Sequence, residues 1–264
     1  MHTAMQFLYA PHCGQRSRPQ AAEIEAAVDT ALLQRHAARR LLPAGLEAER
    51  ARLIRVLQEW LAFESGRGGF RVMAVEKELD AHLRGNEVRL RVDRIDRMEN
   101  GDRMIIDYKS SAAKTSGWAY DRLRQAQLPL YAVLLSREEG ASGGPASEPM
   151  DRSRIGGATL AVVRGGECAF DGIAGDSQNA FAGIRDITGR KTLLGRSFED
   201  WDGLMRHWAA CIDGLAVEVE QGDCPNLVYN PENPSLAGMD ILLRHSEATA
   251  WLTANEELQA GKAP

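Results

Sequence analysis

Three short segments with period-two alternation, residues 70–79, 87–98 and 103–109, constrain this chain most; Arg84-Gly85-Asn86 and Asn100-Gly101-Asp102 stand between them. Alternation sends successive side chains to opposite faces, and glycine supplies the positive φ of a tight reversal. The pattern predicts three consecutive antiparallel strands. The last contains Ile105-Ile106-Asp107-Tyr108-Lys109. Asp107 and Lys109 therefore share one face, while Ile106 and Tyr108 enter the opposite layer.

Helical spacing brackets these strands. Residues 21–41 and 46–65 are rich in helix formers, with Leu53, Leu57, Trp60 and Leu61 recurring at three- and four-residue steps. They predict two amphipathic helices separated by Pro43-Ala44-Gly45 and closed by the glycines after Ser65. Residues 119–137 predict another helix, interrupted at Pro129, followed by a loop over 138–154. Further strands are expected at 155–164 and 167–173, then a helix over 198–221 and irregular chain over 226–235. Trp201, Trp208 and Leu215 give that last helix an apolar stripe, suited to a core or a partner surface. The expectation is one α/β domain over residues 1–264, a mixed central sheet flanked by helices. Residues 1–69 form its helical part, 70–175 the sheet core and 198–264 an acidic helical part.

Composition excludes several classes. No apolar run approaches the ~18 residues that span a bilayer, so no membrane is expected. The first twenty residues lack the pattern of a secretory leader, which predicts a cytoplasmic protein with reduced thiols. Cys13, Cys168, Cys211 and Cys224 contain no C-x-x-C pair, so neither a zinc site nor a disulfide framework is supported. The net charge of −5 is uneven: residues 199–264 hold twelve acids and three bases, or −9, leaving +4 on residues 1–198. Arginine supplies 27 of the 32 bases, which suits phosphate recognition and equally a high-GC genome. No G-x-x-x-x-G-K-[ST] string is present, so no ATP is expected to bind.

The second strand carries Val92-Asp93-Arg94-Ile95-Asp96, and a tight hairpin would bring Asp93 near Asp107. Two carboxylates from adjacent strands, completed by water and a substrate phosphate, suit a hard cation such as Mg²⁺. Lys109 could orient the attacking water or stabilise charge growing on the phosphate. The plainer alternative is a cross-strand salt-bridge network of Asp93, Arg94, Asp107 and Lys109. Gln127 and Tyr131, four apart, share one helical face, where they could hold a nucleotide or brace the lysine.

On Val75-Glu76, on Leu90 through Asp96, on Ile105 through Ser110 and on Gln127 through Ala132, residues 70–135 resemble the nuclease domain of RecB-like and AddB-like helicase-nucleases, within the PD-(D/E)XK superfamily. The resemblance implies a restriction-endonuclease-like core and Mg²⁺- or Mn²⁺-dependent cleavage of single- or double-stranded DNA in repair or recombination, with a helicase as a candidate partner. Asp93 and Asp107 correspond to the metal carboxylates, Lys109 to the catalytic lysine, and Gln127 and Tyr131 to the Q-x-x-x-Y motif. Glu76 is the candidate for the family's earlier acid, with Glu78 as its same-face neighbour; Asp96 is expected to be structural, paired to an arginine. Arg94 and Arg124 are candidate substrate-binding residues among Arg84, Arg89, Arg91, Arg97, Arg103 and Arg122, although interleaved acids also fit a solvated, salt-bridged face. Trp118 and Tyr120 could stack on an unpaired base or be buried.

Two departures stand out. The family's N-terminal helix usually carries an R-G-x-x-x-H histidine that reaches the metal, and residues 1–70 show no such string. His36 reads as a solvated helix face, and His2 and His12 have no fitting context. Many relatives also hold an iron-sulfur cluster, but Cys224 stands alone where three cysteines would be needed, so no cluster is expected. The missing histidine motif supports an alternative, a catalytically impaired DNA-binding or scaffolding subunit beside a helicase. A third reading is an acidic interaction protein.

Overall fold

A computed structural model describes residues 1–15, 17–37, 41–112, 114–141 and 154–223. The chain divides into two compact units, Met1–Leu215 and Ala216–Pro264. Most of the expected 138–154 loop, the 226–235 segment, Cys224 and the rest of the acidic tail lie outside the described residues.

The first unit is built on a sheet of six strands in the order β1 (Phe70–Leu83), β2 (Asn86–Met98), β3 (Arg103–Lys109), β4 (Ile155–Arg164), β5 (Glu167–Ala174) and β6 (Ile184–Asp186). The pairs β1–β2, β2–β3 and β4–β5 are antiparallel, and β3–β4 and β5–β6 are parallel. A parallel pair needs a long crossover, and helix α4 (Gln127–Ala141) lies in the chain between β3 and β4. This is the mixed, helix-flanked α/β arrangement expected. The turns fall where glycine permits them: Arg84 and Gly85 both take positive φ between β1 and β2, and Gly101 does so before β3.

Helices α1 (His2–Tyr9), α2 (Ile24–Gln34) and α3 (Pro43–Ser65) pack on one face of the sheet, around Tyr9, Leu57, Trp60, Met104, Ile106 and Phe170. The other face packs Ile95, Ile105 and Ile173 with Leu134 of α4 and with Trp118, Trp201 and Trp208. The alternation of β3 thus feeds both cores. Trp201 and Trp208 of α6 (Trp201–Gln221) are core residues, which settles their stripe as packing. No helix among the described residues is long and apolar enough to cross a membrane.

Three local expectations change. Pro43, Ala44 and Gly45 form the start of α3 rather than a break between helices, because proline at the first helical position loses no hydrogen bond. The helix expected over 119–137 begins only at Gln127, which puts Pro129 in the first turn, where N–H groups have no intrahelical partner. Helix α1 was not foreseen; it buries Ala4, Met5, Leu8 and Tyr9.

A buried ionic network ties the α1–α3 face to the sheet. Arg94, fully buried, donates to both carboxylate oxygens of Asp96 at 2.6 and 2.8 Å and to the Tyr108 hydroxyl at 3.1 Å. Its Nη1 also lies 2.9 Å from Glu64 Oε1. Its guanidinium stacks 4.0 Å from the centre of the Tyr9 ring. Tyr9 donates its hydroxyl proton to Glu64 and accepts from Trp60 Nε1 at 2.9 Å. Arg67 donates to Asp96 from the other side at 2.6 Å. Burial opposes the charge on Arg94, yet Asp96 and Glu64 hold its pKa well above the ordinary arginine value. The expectation that Arg94 meets substrate is therefore corrected: it faces the α1–α3 core, and its charge is consumed within the fold. Asp96 is structural, as expected.

Arg94→Met should destabilise the protein by about 3–5 kcal/mol, the range seen when one partner of a buried ion pair is removed. Urea denaturation followed by circular dichroism checks this. Arg89→Met, which breaks the exposed Arg89–Asp80 pair, should leave the midpoint unmoved.

Candidate active site

The strands carry the site to the open end of the β2–β3 pair. Their register runs from Arg97↔Arg103 to Arg94↔Ile106 and stops one residue short of Asp93 and Asp107. The ladder is replaced there by a side chain: Asp93 Oδ2 accepts the Tyr108 backbone N–H at 2.8 Å. Around this point β2 also changes face, since Val92 packs in the core containing α4, whereas Arg94 points toward Tyr9 and Tyr108. On β1, Glu76 lies between the pairs Val75↔Arg94 and Lys77↔Val92 and takes φ +48°. A non-glycine residue in that region carries strain of about 1–3 kcal/mol, which persists only where surrounding contacts hold it. Arg91 Nε, 2.9 Å from Glu76 Oε2, is one such contact.

Asp107 is 2% exposed, and its Oδ2 lies 2.6 Å from Lys109 Nζ. Lys109 Nζ donates to Gln127 Oε1 at 3.1 Å, and Gln127 Nε2 donates to the Tyr131 hydroxyl at 3.0 Å. Helix α4 thus braces the lysine through the amide and the phenol four residues apart. A cleft of about 380 Å³ is lined by His2, Asp93, Asp107, Lys109, Gln127 and Tyr131, among others.

His2, the first residue of α1, was not marked by its sequence context. Its Nδ1 lies 3.3 Å from Asp93 Oδ2, and its ring meets that of Tyr108 edge-on. The departure noted for residues 1–70 is corrected in this respect: a histidine from the N-terminal helix does stand beside Asp93. The clue available in sequence was the apolar spacing of Ala4, Met5 and Leu8, which would have revealed the helix but not its destination. His36 is exposed, as expected, but stands in the turn after α2 with φ +52° rather than on a helix face. His12 is held by Ser17 and Glu23.

Among the described residues, His2, Glu76 and Asp93 form a group whose potential ligand atoms all lie within 4.8 Å of one another. One imidazole nitrogen and two carboxylates make a donor set fit for a divalent cation. Asp107 lines the same cleft but lies outside that group, with its carboxylate turned to Lys109. The electrostatics agree with a cation-seeking site. Asp93 raises the His2 pKa through its hydrogen-bonding contact, against the effect of burial. Burial raises the Asp107 pKa, with Lys109 opposing and Asp93 adding to the shift.

The remaining candidates lie elsewhere. Arg124 is absent from the cleft lining and stacks 4.4 Å over the Tyr120 ring. Trp118 is buried, donating from Nε1 to the Gln125 carbonyl. Tyr120 is 42% exposed. Of the hairpin arginines, Arg89 pairs with Asp80 and Arg91 with Glu76, the salt-bridged arrangement weighed against phosphate binding.

A family model described as the PD-(D/E)XK nuclease superfamily matches residues 1–225, which include every residue of the cleft. No curated protein matches the chain.

The raised Asp107 pKa has a thermodynamic consequence. The fold favours its neutral form, so its charged form costs stability as pH rises through the folded-state pKa. In EDTA, Asp107→Asn should therefore melt higher than the parent protein at pH 7, and the gain should shrink as pH falls toward the ordinary aspartate value. Thermal melts at pH 4 and pH 7 check the sign.

Proposed function

Because the chain belongs to the PD-(D/E)XK nuclease superfamily, we propose that it is a divalent-metal-dependent deoxyribonuclease, with its reacting phosphate in the cleft between His2 and Gln127. The observation that carries this reading is the gathering of His2, Asp93, Asp107 and Lys109 around one cleft, with Glu76 beside it.

His2, Glu76 and Asp93 would hold the cation, and Asp107 faces the same space. When bound, the cation supplies Lewis-acid polarisation of a phosphoryl oxygen and a more acidic water. The imidazole favours Mn²⁺ over Mg²⁺, since magnesium prefers an all-oxygen shell. The chain's own residues do the rest. In the hydrolysis, a water oxygen bonds to phosphorus and gives its proton to solvent, while the bond from phosphorus to the leaving ester oxygen breaks and that oxygen keeps the electron pair and takes a proton from solvent. Lys109, fixed between Asp107 and Gln127, keeps an ammonium where negative charge grows and can orient the water. Gln127 passes the rigidity of α4 to that ammonium, with Tyr131 fixing the amide. Asp93 accepts the Tyr108 N–H, so the backbone between Asp107 and Lys109 is aligned by the same carboxylate that would hold the cation.

The resemblance of residues 70–135 to RecB-like and AddB-like nuclease domains supports a role in DNA repair or recombination, with a helicase supplying the ATP-driven motion. The impaired-subunit reading draws on the missing R-G-x-x-x-H motif; His2 beside Asp93 favours the active enzyme, since it brings an imidazole to the site without that motif.

Linear and circular DNA, single- and double-stranded, incubated with Mn²⁺, Mg²⁺ or EDTA, tests the proposal. Cleavage should require the cation and fall by about 10²–10³ in Lys109→Ala, the loss typical of one electrostatic stabiliser. Asp107→Ala and His2→Ala should also reduce it. Cleavage that survives EDTA, or an undiminished Lys109→Ala protein, would sink the reading; DNA binding with no cleavage by the parent protein would favour the impaired subunit.

A further inference from the structure

We infer that Arg91 is a positioning residue of the cation site: its guanidinium holds one oxygen of Glu76 so that the other is presented, beside His2 and Asp93, to the divalent cation. The inference rests on the nuclease reading for the use of that cation and deepens it by assigning what fixes the ligand.

In the β1–β2 register Arg91 stands directly opposite Glu78, the carboxylate that a cross-strand ion pair would ordinarily use. Its Nε lies instead 2.9 Å from Oε2 of Glu76, on the diagonal. Glu76 takes φ +48°, a conformation that a glutamate keeps only where its surroundings hold it. The two partners are unequally buried, the Glu76 side chain being 12% exposed and that of Arg91 62%. The guanidinium therefore approaches from the solvent side and leaves the space among His2, Glu76 and Asp93 clear.

Charge requires such a partner. The potential ligand atoms of His2, Glu76 and Asp93 lie within 4.8 Å of one another, and two carboxylates that close disfavour each other's ionised form unless opposite charge or hydrogen-bond donors stand beside them. Asp93 has His2 Nδ1 at 3.3 Å and the Tyr108 N–H at 2.8 Å, and Glu76 has Arg91. A carboxylate offers two oxygens, so one can meet a guanidinium while the other binds a cation. Loss of a group that orients a metal ligand typically weakens binding by about 10–100-fold. Repulsion between the guanidinium and the cation acts the other way, but solvent and salt screen it at so exposed a side chain, and orientation prevails.

Mn²⁺ binding without DNA, read from the loss of the free ion's electron paramagnetic resonance signal, tests this in the parent protein, Arg91→Met, Arg91→Lys and Arg89→Met. Arg91→Met should bind Mn²⁺ about tenfold more weakly. Arg91→Lys should fall between it and the parent, because an ammonium can still donate to Glu76 but lacks the planar fork. Arg89→Met, which breaks an exposed ion pair of the same two strands, should match the parent. In EDTA all four should melt within about 4 °C of one another, the shift that loss of an exposed pair allows. Mn²⁺ affinity unchanged or increased in Arg91→Met, an Arg91→Lys protein as weak as Arg91→Met, an equal loss in Arg89→Met, or a larger fall in melting temperature for Arg91→Met would each overturn the inference, as would a parent protein that binds no Mn²⁺. A parent protein that cuts DNA while Arg91→Met keeps full Mn²⁺ affinity retains the nuclease reading and loses this inference; one that shows the expected Mn²⁺ affinities yet cuts nothing does the reverse.

Discussion

The structure depends on the burial of one cation. A guanidinium removed from water is tolerated only when opposite charge and hydrogen-bond acceptors surround it. Arg94 meets that condition with Asp96 from its own strand, Glu64 from α3 and the hydroxyl of Tyr108 from β3. Tyr9 covers its face and, through the Tyr9–Glu64 and Trp60–Tyr9 hydrogen bonds, joins α1 to α3. The first helix is thus held against the sheet by polar contacts as well as by its apolar face. Its first residue, His2, lies beside Asp93 as a consequence.

The same network reaches the reacting groups along a short path. Tyr108 accepts from Arg94 at its hydroxyl oxygen and donates its backbone N–H to Asp93, while its neighbours Asp107 and Lys109 project to the opposite face. One strand end therefore joins a rigid core contact to three polar groups. On the far side, Gln127 opens α4 just after an irregular loop, so the brace on Lys109 comes from the start of a packed helix. Leu128, Ala132 and Leu135 anchor that helix in the core. Rigid elements on both faces thus hold the cleft, the arrangement that preserves a polar constellation against thermal motion.

Much of this was legible in the chain. The period-two segments and their glycine turns located β1 to β3, because strand alternation and positive φ are local demands. Asp107 and Lys109 share a face for the same reason, and Gln127 and Tyr131 meet because helical neighbours four apart do. Arg94 was misjudged from the same pattern: an arginine amid acids looks solvated, and only the converging Glu64, Tyr9 and Tyr108 reveal that it is buried. The helix expected from residue 119 was likewise displaced to Gln127, since Trp118 is drawn into the core against Trp208 and its indole N–H is satisfied by the Gln125 carbonyl.

Local order, then, was written in the sequence by itself: which segments extend, which coil, and which polar side chains one element places together. What the tertiary structure alone decided is which distant residues share a space. His2 lies 105 residues before Asp107 and Glu76 lies 31 before it, and no periodicity links them. Their meeting follows from the packing of α1 on the sheet and from a strained backbone at Glu76. Such contacts arise from burial and charge compensation summed over several elements, and those energies depend on three-dimensional neighbours rather than on spacing along the chain.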